Sequence, residues 1–226
     1  MKKILTTAIL CAGLVGFTAC DSFLDEEPKS SLTLDTYYKT SADIIGNVNY
    51  LYRDGAPDKM GNMTGAYRGS SLSVMNMVTG YFVNEYEGQE VDCSYARQLT
   101  RQNFTQSCCN YLTNDTWKGC YKSINVANAV IKYVDGVEMD GQAQYKAEAR
   151  FFRALNYFYL VKMFGDVPMI TEPTEDATLV EYPARTAASE VYKTVIIPDL
   201  QFAVENLPDA TFAGISHRVT TVSYTH

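Results

Sequence analysis

The sequence predicts an all-α fold built from tetratricopeptide-like helix pairs, with one irregular, loop-rich region. Apolar side chains recur at steps of three and four over three long stretches, which is the spacing of one helix face. Small residues alternate with aromatic ones on these faces, as they do in helical-repeat scaffolds. The 17 tyrosines among 226 residues also suit packed amphipathic helices.

The beginning of the chain has the outline of an export signal. Lys2 and Lys3 precede an uncharged stretch from Ile4 to Ala19, which is shorter than the roughly 20 residues of a membrane-spanning helix. The segment Phe-Thr-Ala-Cys that ends at Cys20 is similar to a lipobox, in which the cysteine is acylated before cleavage. We therefore expect cleavage before Cys20 and a lipid on that residue, with an ordinary secretory signal cut elsewhere as the alternative.

The charge balance excludes nucleic acid as a partner. Without Lys2 and Lys3 the formal charge falls from −7 to −9, and such a chain would be repelled by phosphates. Residues 20–35 are acidic and contain a proline and a serine-rich run, which is typical of an exposed tether. No later apolar run is as long as the first, so we expect the rest of the protein to be soluble and anchored.

The first predicted helix follows the tether. Thr40 or Ser41 can cap it, and we expect it to end near Gly55. Its apolar face contains Ile44, Ile45, Val48, Leu51 and Tyr52. Residues 54–110 then carry many glycines with little periodicity, which indicates loops with short helices.

A long helix is predicted at about residues 111–134. One face would contain Trp117, Tyr121, Ile124, Asn128 and Ile131. Asn128 is the polar member of this face, and a buried amide without partners costs about 1 to 3 kcal/mol. We therefore expect Asn128 to bind a neighbouring loop or helix.

A second long helix is predicted to end at Gly165, and Pro168 prevents it from resuming. Its principal apolar face would contain Ala147, Phe151, Leu155, Phe158 and Val161. A polar connector from Thr171 to Arg185 leads to a last helix, which Pro198 should kink or divide. That helix would place Tyr192, Ile196, Leu200, Ala203 and Leu207 on one face.

Catalytic and metal-binding patterns are absent from the sequence. It contains no GxSxG, HExxH or phosphate-binding glycine motif, and its two histidines, His217 and His226, lie at the end of the chain. We expect no cofactor, no metal and no catalytic residue. The cysteine spacings do not match a zinc site, although an exported location permits a disulfide among Cys93, Cys108, Cys109 and Cys120.

The irregular region contains the candidate ligand-binding residues, Tyr81, Asn84 and Tyr86. Aromatic rings beside amides and carboxylates are the side chains that bind sugars. The alternative is that these rings pack the loops onto the helices. An acidic cluster nearby consists of Glu85, Glu87, Glu90 and Asp92. We interpret it as part of a solvated loop, with the paired carboxylates of a glycoside hydrolase as the alternative.

The stretch AEARFFRALNYFYLVKMFGDVP, Ala147 to Pro168, closely resembles the signature helix of the SusD/RagB family of nutrient-binding lipoproteins. Further similar features occur in order, namely the start at Cys20, the segment Tyr37-Tyr38-Lys39-Thr40, the helix from Trp117 to Asn128, and the stretch from Val191 to Pro208. The structural signature that the resemblance indicates comprises Trp117, Asn128, Arg150, Arg153, Gly165, Asp166 and Pro168.

The resemblance implies a surface-exposed protein, lipid-anchored in the outer membrane, that binds oligosaccharides or peptides. It would deliver them to a SusC-like TonB-dependent transporter, and it would perform no chemistry. The alternatives are a membrane-anchored protein-interaction scaffold and a non-functional fragment, since family members are usually about twice as long. The predicted organisation is a signal peptide at 1–19, a tether at 20–35, a SusD-like helical domain at 36–212 and an atypical tail at 213–226, interpreted as a truncation or frameshift.

Overall fold

The computed structural model describes residues 33–53, 78–81, 83, 97–175 and 183–208. The chain divides into the units Met1–Thr33 and Leu34–His226, and every element below belongs to the second unit. The predicted signal peptide, most of the tether and the predicted tail lie outside the described residues.

The predicted all-α fold is confirmed, because helices dominate the described residues and only two strands of two residues each accompany them. The elements in chain order are α1 (Leu34–Tyr37), α2 (Ser41–Arg53), α3 (Gln106–Tyr133), a 3-10 turn (Val134–Gly136), α4 (Gln142–Phe164), β1 (Val167–Pro168), β2 (Arg185–Thr186), α5 (Ala188–Val191), a π-helical segment (Tyr192–Ile196) and α6 (Ile197–Asn206). Residues 97–100 are also helical.

The side chain that binds the start of helix α2 is that of Asp43, whereas the sequence predicted a cap from Thr40 or Ser41. The Asp43 carboxylate accepts hydrogen bonds from the backbone N–H of Thr40 at 2.8 Å and from its hydroxyl at 2.7 Å. These bonds hold the pKa of Asp43 below its usual range. One side of the helix buries Ile44, Val48 and Leu51 completely.

Helix α3 begins at Gln106, five residues before the predicted start. After Gln106 the helix continues with Ser107, Cys108, Cys109 and Asn110, which are weak helix formers without an apolar stripe. Extending an existing helix costs little, because each added residue gains a hydrogen bond. The helix therefore extends beyond the part that its apolar pattern predicts.

Helix α4 is the central element, since it contacts α2, α3, α6 and the π-helical segment. Two core clusters lie along α3 and α4. The first includes Cys120, Ile124, Tyr157, Leu160, Val167, Val191 and Val195. The second includes Tyr38, Ile44, Val48, Leu51, Val130, Val134 and Phe152. The helix is buried on several sides, which explains why its apolar residues extend beyond one stripe.

The last helix continues past Pro198 but contains a π-helical segment just before it, where the sequence predicted a kink or a division. The π-helical segment lies between α5 and α6, and the Ile197 N–H donates to the Tyr192 carbonyl five residues earlier. Proline has no N–H, and its ring would crowd the carbonyl of Thr194 in a regular α-helix. The wider turn avoids that contact and places Pro198 in the first turn of α6, where proline is tolerated.

The connector between α4 and α5 contains the two short strands, which the sequence pattern did not predict. They pair antiparallel, with Val167 opposite Thr186 and Pro168 opposite Arg185. Among the helices in the described ranges, none is long and apolar enough to cross a membrane.

Candidate functional site

The end of α4 is built by the Gly-Asp pair of the signature stretch. Gly165 has a φ of 68°, a left-handed conformation that favours glycine, and its N–H donates to the Val161 carbonyl at 3.0 Å. Asp166 then accepts a hydrogen bond from the Ala188 N–H at 2.9 Å. This carboxylate therefore caps α5, which lies 22 residues further along the chain.

The residues on either side of that pair anchor the turn to the core. Val167 is fully buried and pairs with Thr186 in the two-stranded ribbon. The ring of Phe164 meets the Trp117 ring edge-on, with 5.1 Å between the centroids. Each contact joins parts of the chain that are distant in sequence, so the signature stretch acts as a structural junction.

Residues 168–175, which we call the strap, follow a polar stripe on α3. The stripe consists of Tyr121, Asn125, Asn128 and Lys132, spaced by four, three and four residues and therefore on one helix face. The Tyr121 hydroxyl donates to the Pro168 carbonyl at 2.7 Å. The Asn128 amide donates to the carbonyls of Ile170 at 3.0 Å and Glu172 at 3.2 Å. The Asn125 side-chain oxygen accepts from the Thr174 N–H at 2.7 Å, and Lys132 binds the Glu175 carboxylate.

A tyrosine of α4 binds the strap from a second direction. The Tyr157 hydroxyl accepts a hydrogen bond from the Ile170 N–H at 2.7 Å and donates one to the Ile170 carbonyl at 2.9 Å. Its side chain is fully buried, and burial raises the pKa of Tyr157 to about 12. The strap is thus held by side chains from two helices.

Arg153 is the centre of a buried polar network. Its Nε and Nη2 donate to the two carboxylate oxygens of Asp199 at 2.6 and 2.8 Å, in a bidentate pair. Its Nη1 donates to the Asn128 side-chain oxygen at 2.8 Å and to the Thr171 carbonyl at 3.4 Å. One guanidinium group therefore joins α3, α4, α6 and the strap. The expectation that Asn128 binds a neighbouring segment is confirmed.

The far end of the strap meets the N-terminal part of the described chain. The Tyr133 hydroxyl donates to the Glu175 carboxylate at 3.1 Å, and its ring stacks on Tyr38 with 5.2 Å between centroids. Burial and the neighbouring carboxylates of Asp35 and Glu175 raise the pKa of Tyr133. The hydrogen bond from Lys132 lowers the pKa of Glu175.

The predicted ligand residues fall mostly outside the described residues. Tyr81 is described, its side chain is 89% exposed, and its N–H donates to the Thr79 hydroxyl at 3.3 Å. Asn84 and Tyr86 lie outside, as do Cys20 and the acidic cluster that begins at Glu85. The structure therefore does not bring the three candidate residues together into one described site.

The described residues offer little reactive chemistry. Cys120 is a free thiol that is fully buried, and burial raises its pKa to about 12, which suppresses the reactive thiolate. The side chains of the other three candidate cysteines are not among those described. Within the described ranges, no three His, Cys, Asp or Glu residues lie close enough together to hold a metal ion.

One member of the network, Asp199, and one residue that binds the strap, Tyr157, were not singled out in the sequence. Asp199 lies between Ile196 and Ala203 at helical spacing, so its carboxylate falls within an apolar stripe. That pattern, the same one that marked Asn128, could have identified it. Tyr157 gives no comparable signal, because a tyrosine on a buried helix is most often packing alone.

The comparisons with known proteins agree with this architecture. A model of a SusD-like family, described as "Starch-binding associating with outer membrane", matches residues 22–223. SusD-like protein P2 of Formosa agariphila is 30% identical over 228 residues, covering 99% of this chain and 42% of that protein. A solved laminarin binding SusD-like protein is 25% identical with a TM-score of 0.64, over 83% of this chain and 38% of that one.

A SusD-like carbohydrate binding protein of Bacteroides fragilis shares the fold, with a TM-score of 0.64 at 20% identity, over 84% of this chain and 36% of that one. The chain belongs to the SusD-like family, as the resemblance in its sequence indicated. It spans less than half the length of the relatives named here. Of the residues predicted as a structural signature, Asn128 and Arg153 belong to the buried network and Pro168 to the strap.

Proposed function

We propose that this protein is a surface-exposed lipoprotein of the outer membrane that binds oligosaccharides and delivers them to a SusC-like TonB-dependent transporter. The observation that carries the proposal is the match of residues 22–223 to a starch-binding family that associates with the outer membrane. The similarity to a laminarin binding protein supports a glycan as the ligand class. The protein would bind its ligand without changing it.

The candidate contact is Tyr81, with Asn84 and Tyr86 as its proposed neighbours. Sugar recognition requires aromatic faces that are accessible on a fixed scaffold, together with amides that bind hydroxyl groups. Tyr81 offers an exposed ring, and the buried network around Arg153 provides a rigid scaffold elsewhere in the same unit.

Calorimetry with the full chain tests ligand binding. Oligosaccharides from laminarin, xyloglucan and starch, and a set of peptides, would be titrated into the wild type, Tyr81→Ala and Phe104→Ala. Phe104 is a matched control, since it is also an exposed aromatic, at 56%. We expect Tyr81→Ala to weaken binding about threefold to tenfold and Phe104→Ala to have little effect. A wild-type protein that binds none of the glycans would contradict the proposal.

Delivery and location require separate experiments in cells. Pull-down from membranes should recover a TonB-dependent barrel, whereas recovery of periplasmic proteins alone would favour an interaction scaffold. Cys20→Ser should release the protein from the membrane, and protease added to intact cells should remove the wild type. A fully protected protein would contradict surface exposure.

A further inference from the structure

The inner end of the strap, residues 168–172, is held by side chains that lie inside the protein. The fully buried Tyr157 binds both backbone polar groups of Ile170. Arg153 and Asn128 are also buried, and both donate to strap carbonyls. Buried hydrogen bonds of this kind are exposed to water only when the packing around them opens. The inner end should therefore open only together with the core.

The outer end of the strap, residues 173–175, is held at the surface instead. The Thr174 N–H donates to Asn125 in an exposed contact. The Glu175 carboxylate forms an ion pair with Lys132, and the two side chains are 49% and 40% exposed. Exposed ion pairs stabilise weakly and are screened by salt. The outer end can therefore open while the inner end stays bound.

The side chains that bind Glu175 have a second carboxylate beside them. Tyr133, the neighbour of Lys132 in the chain, also donates to Glu175, at 3.1 Å. The hydrogen bond with Glu175 is the main cause that raises the pKa of Lys132, and the negative charge of Asp35 adds to it. After burial, Asp35 also raises the pKa of Tyr133. Lys132 and Tyr133 therefore keep an anionic neighbour when Glu175 leaves, which lowers the cost of opening.

We propose that Glu175, together with Lys132 and Tyr133, is a salt-sensitive latch whose release opens the outer end of the strap alone. In the open state the inner end still joins α3, α4 and α6, so the fold persists. Opening uncovers the outer part of the polar stripe on α3, at Asn125 and Lys132. The latch rests on the geometry of the strap and does not depend on the proposed function.

Hydrogen exchange on the full chain tests the latch, because it reports on each backbone amide separately. The protection of the Thr174 and Ile170 amides would be measured in the wild type, Glu175→Gln and Asp135→Asn. Glutamine keeps the size of the side chain and an acceptor oxygen but removes the charge. Asp135→Asn is the matched control, since it removes the exposed carboxylate of another ion pair, with Lys146.

We expect Glu175→Gln to lower the protection of Thr174 about twofold to fivefold and to leave that of Ile170 unchanged. The control should change neither. Salt provides a second measurement on the wild type itself. Raising sodium chloride from about 0.05 M to about 1 M should lower the protection of Thr174 in the wild type and much less in Glu175→Gln, because only an ionised carboxylate is screened.

Three results would overturn the inference. Protection of Thr174 that is the same in the wild type and Glu175→Gln at both salt concentrations would show that the ion pair does not close the outer end. Equal losses at Thr174 and Ile170 would show that the strap opens as one unit. A loss at Thr174 that is as large in Asp135→Asn would show a general effect of charge, with no latch at Glu175.

Discussion

The strap and the turn at residues 78–81 differ in how the protein holds them. The strap is bound by side chains of α3 and α4. The Tyr157 hydroxyl binds both the N–H and the carbonyl of Ile170, and the buried Arg153 guanidinium donates to the Thr171 carbonyl. At the turn, the N–H of Tyr81 makes a local bond to Thr79 at 3.3 Å, and the ring is exposed. The strap's polar groups are engaged by the scaffold, while the turn offers its ring to solvent.

This difference separates the stretch in which the sequence resembles the family from the residue proposed to bind a ligand. The signature stretch supplies Arg153, Gly165 and Asp166, whose contacts all lie within the protein. A polar group that already has good partners gains little by exchanging them for a ligand. These three residues therefore serve the scaffold in this chain, whereas the proposed ligand contact, Tyr81, is exposed.

The largest expected effect on the scaffold comes from Arg153→Met. The change leaves the Asp199 carboxylate, which is only 2% exposed, without its bidentate partner. We expect the free energy of unfolding to fall by about 3 to 5 kcal/mol, measured by urea denaturation. Arg150→Met is the matched control, because it removes a guanidinium one turn away that makes no hydrogen bond to Asp199.

The double variant Arg153→Met/Asp199→Leu sharpens this test. Removing both charges should recover part of the lost stability, because no unpaired carboxylate remains buried. An equal loss in Arg153→Met and Arg150→Met would show that the network around Arg153 does not dominate the stability of the scaffold.

Asn128→Ala should have the next largest effect. It removes an acceptor from Arg153 and two hydrogen bonds to strap carbonyls, so we expect a loss of about 1 to 3 kcal/mol in the free energy of unfolding. Asn125→Ala is the control, because Asn125 makes an exposed contact with Thr174 on the same strap. Equal losses for the two variants would contradict the distinction between buried and exposed strap contacts.

Tyr157→Phe tests the strap through its pH dependence. In the unfolded chain a tyrosine titrates near pH 10, and in the folded protein the pKa of Tyr157 is about 12. The raised pKa contributes stability below pH 10, and this contribution is lost as the pH rises from 10 to 12. The phenylalanine variant lacks that ionisation.

At pH 7 the variant should be less stable by about 1 to 2 kcal/mol, because the Ile170 N–H and carbonyl lose their partner. The difference between the two proteins should shrink above pH 10, since only the wild type loses the contribution of Tyr157. Urea denaturation at pH 7, 10 and 11 measures this difference in the free energy of unfolding. A difference that widens with pH would contradict the raised pKa of Tyr157.

The sequence predicts the helices well, because their apolar faces repeat over many turns. The positions of Ile44, Val48 and Leu51 follow from spacing alone, and so does the need of Asn128 for a partner. The end of the second long helix was equally clear, since glycine and proline act on the backbone locally.

The path of the strap could not be predicted in the same way. Its hydrogen bonds with α3 join residues more than 40 positions apart, such as Tyr121 with Pro168 and Asn125 with Thr174. Nothing in the local pattern indicates which carbonyl a side chain will reach. The two short strands depend likewise on tertiary contacts, which override weak local preferences.

The smallest expected effect is that of Tyr81→Ala, and it tests the independence of the turn from the strap. An exposed ring with few contacts should contribute less than about 0.5 kcal/mol to the free energy of unfolding. Hydrogen exchange provides the finer measurement. The amides of Ile170 and Thr174 should exchange slowly in both proteins, because they donate at 2.7 Å to side chains of α4 and α3. The amide of residue 81 should exchange quickly in both, since its bond is local and exposed. If Tyr81→Ala accelerated exchange at Ile170, the turn would contribute to the scaffold, and weaker glycan binding by that variant could then no longer be attributed to loss of a direct contact.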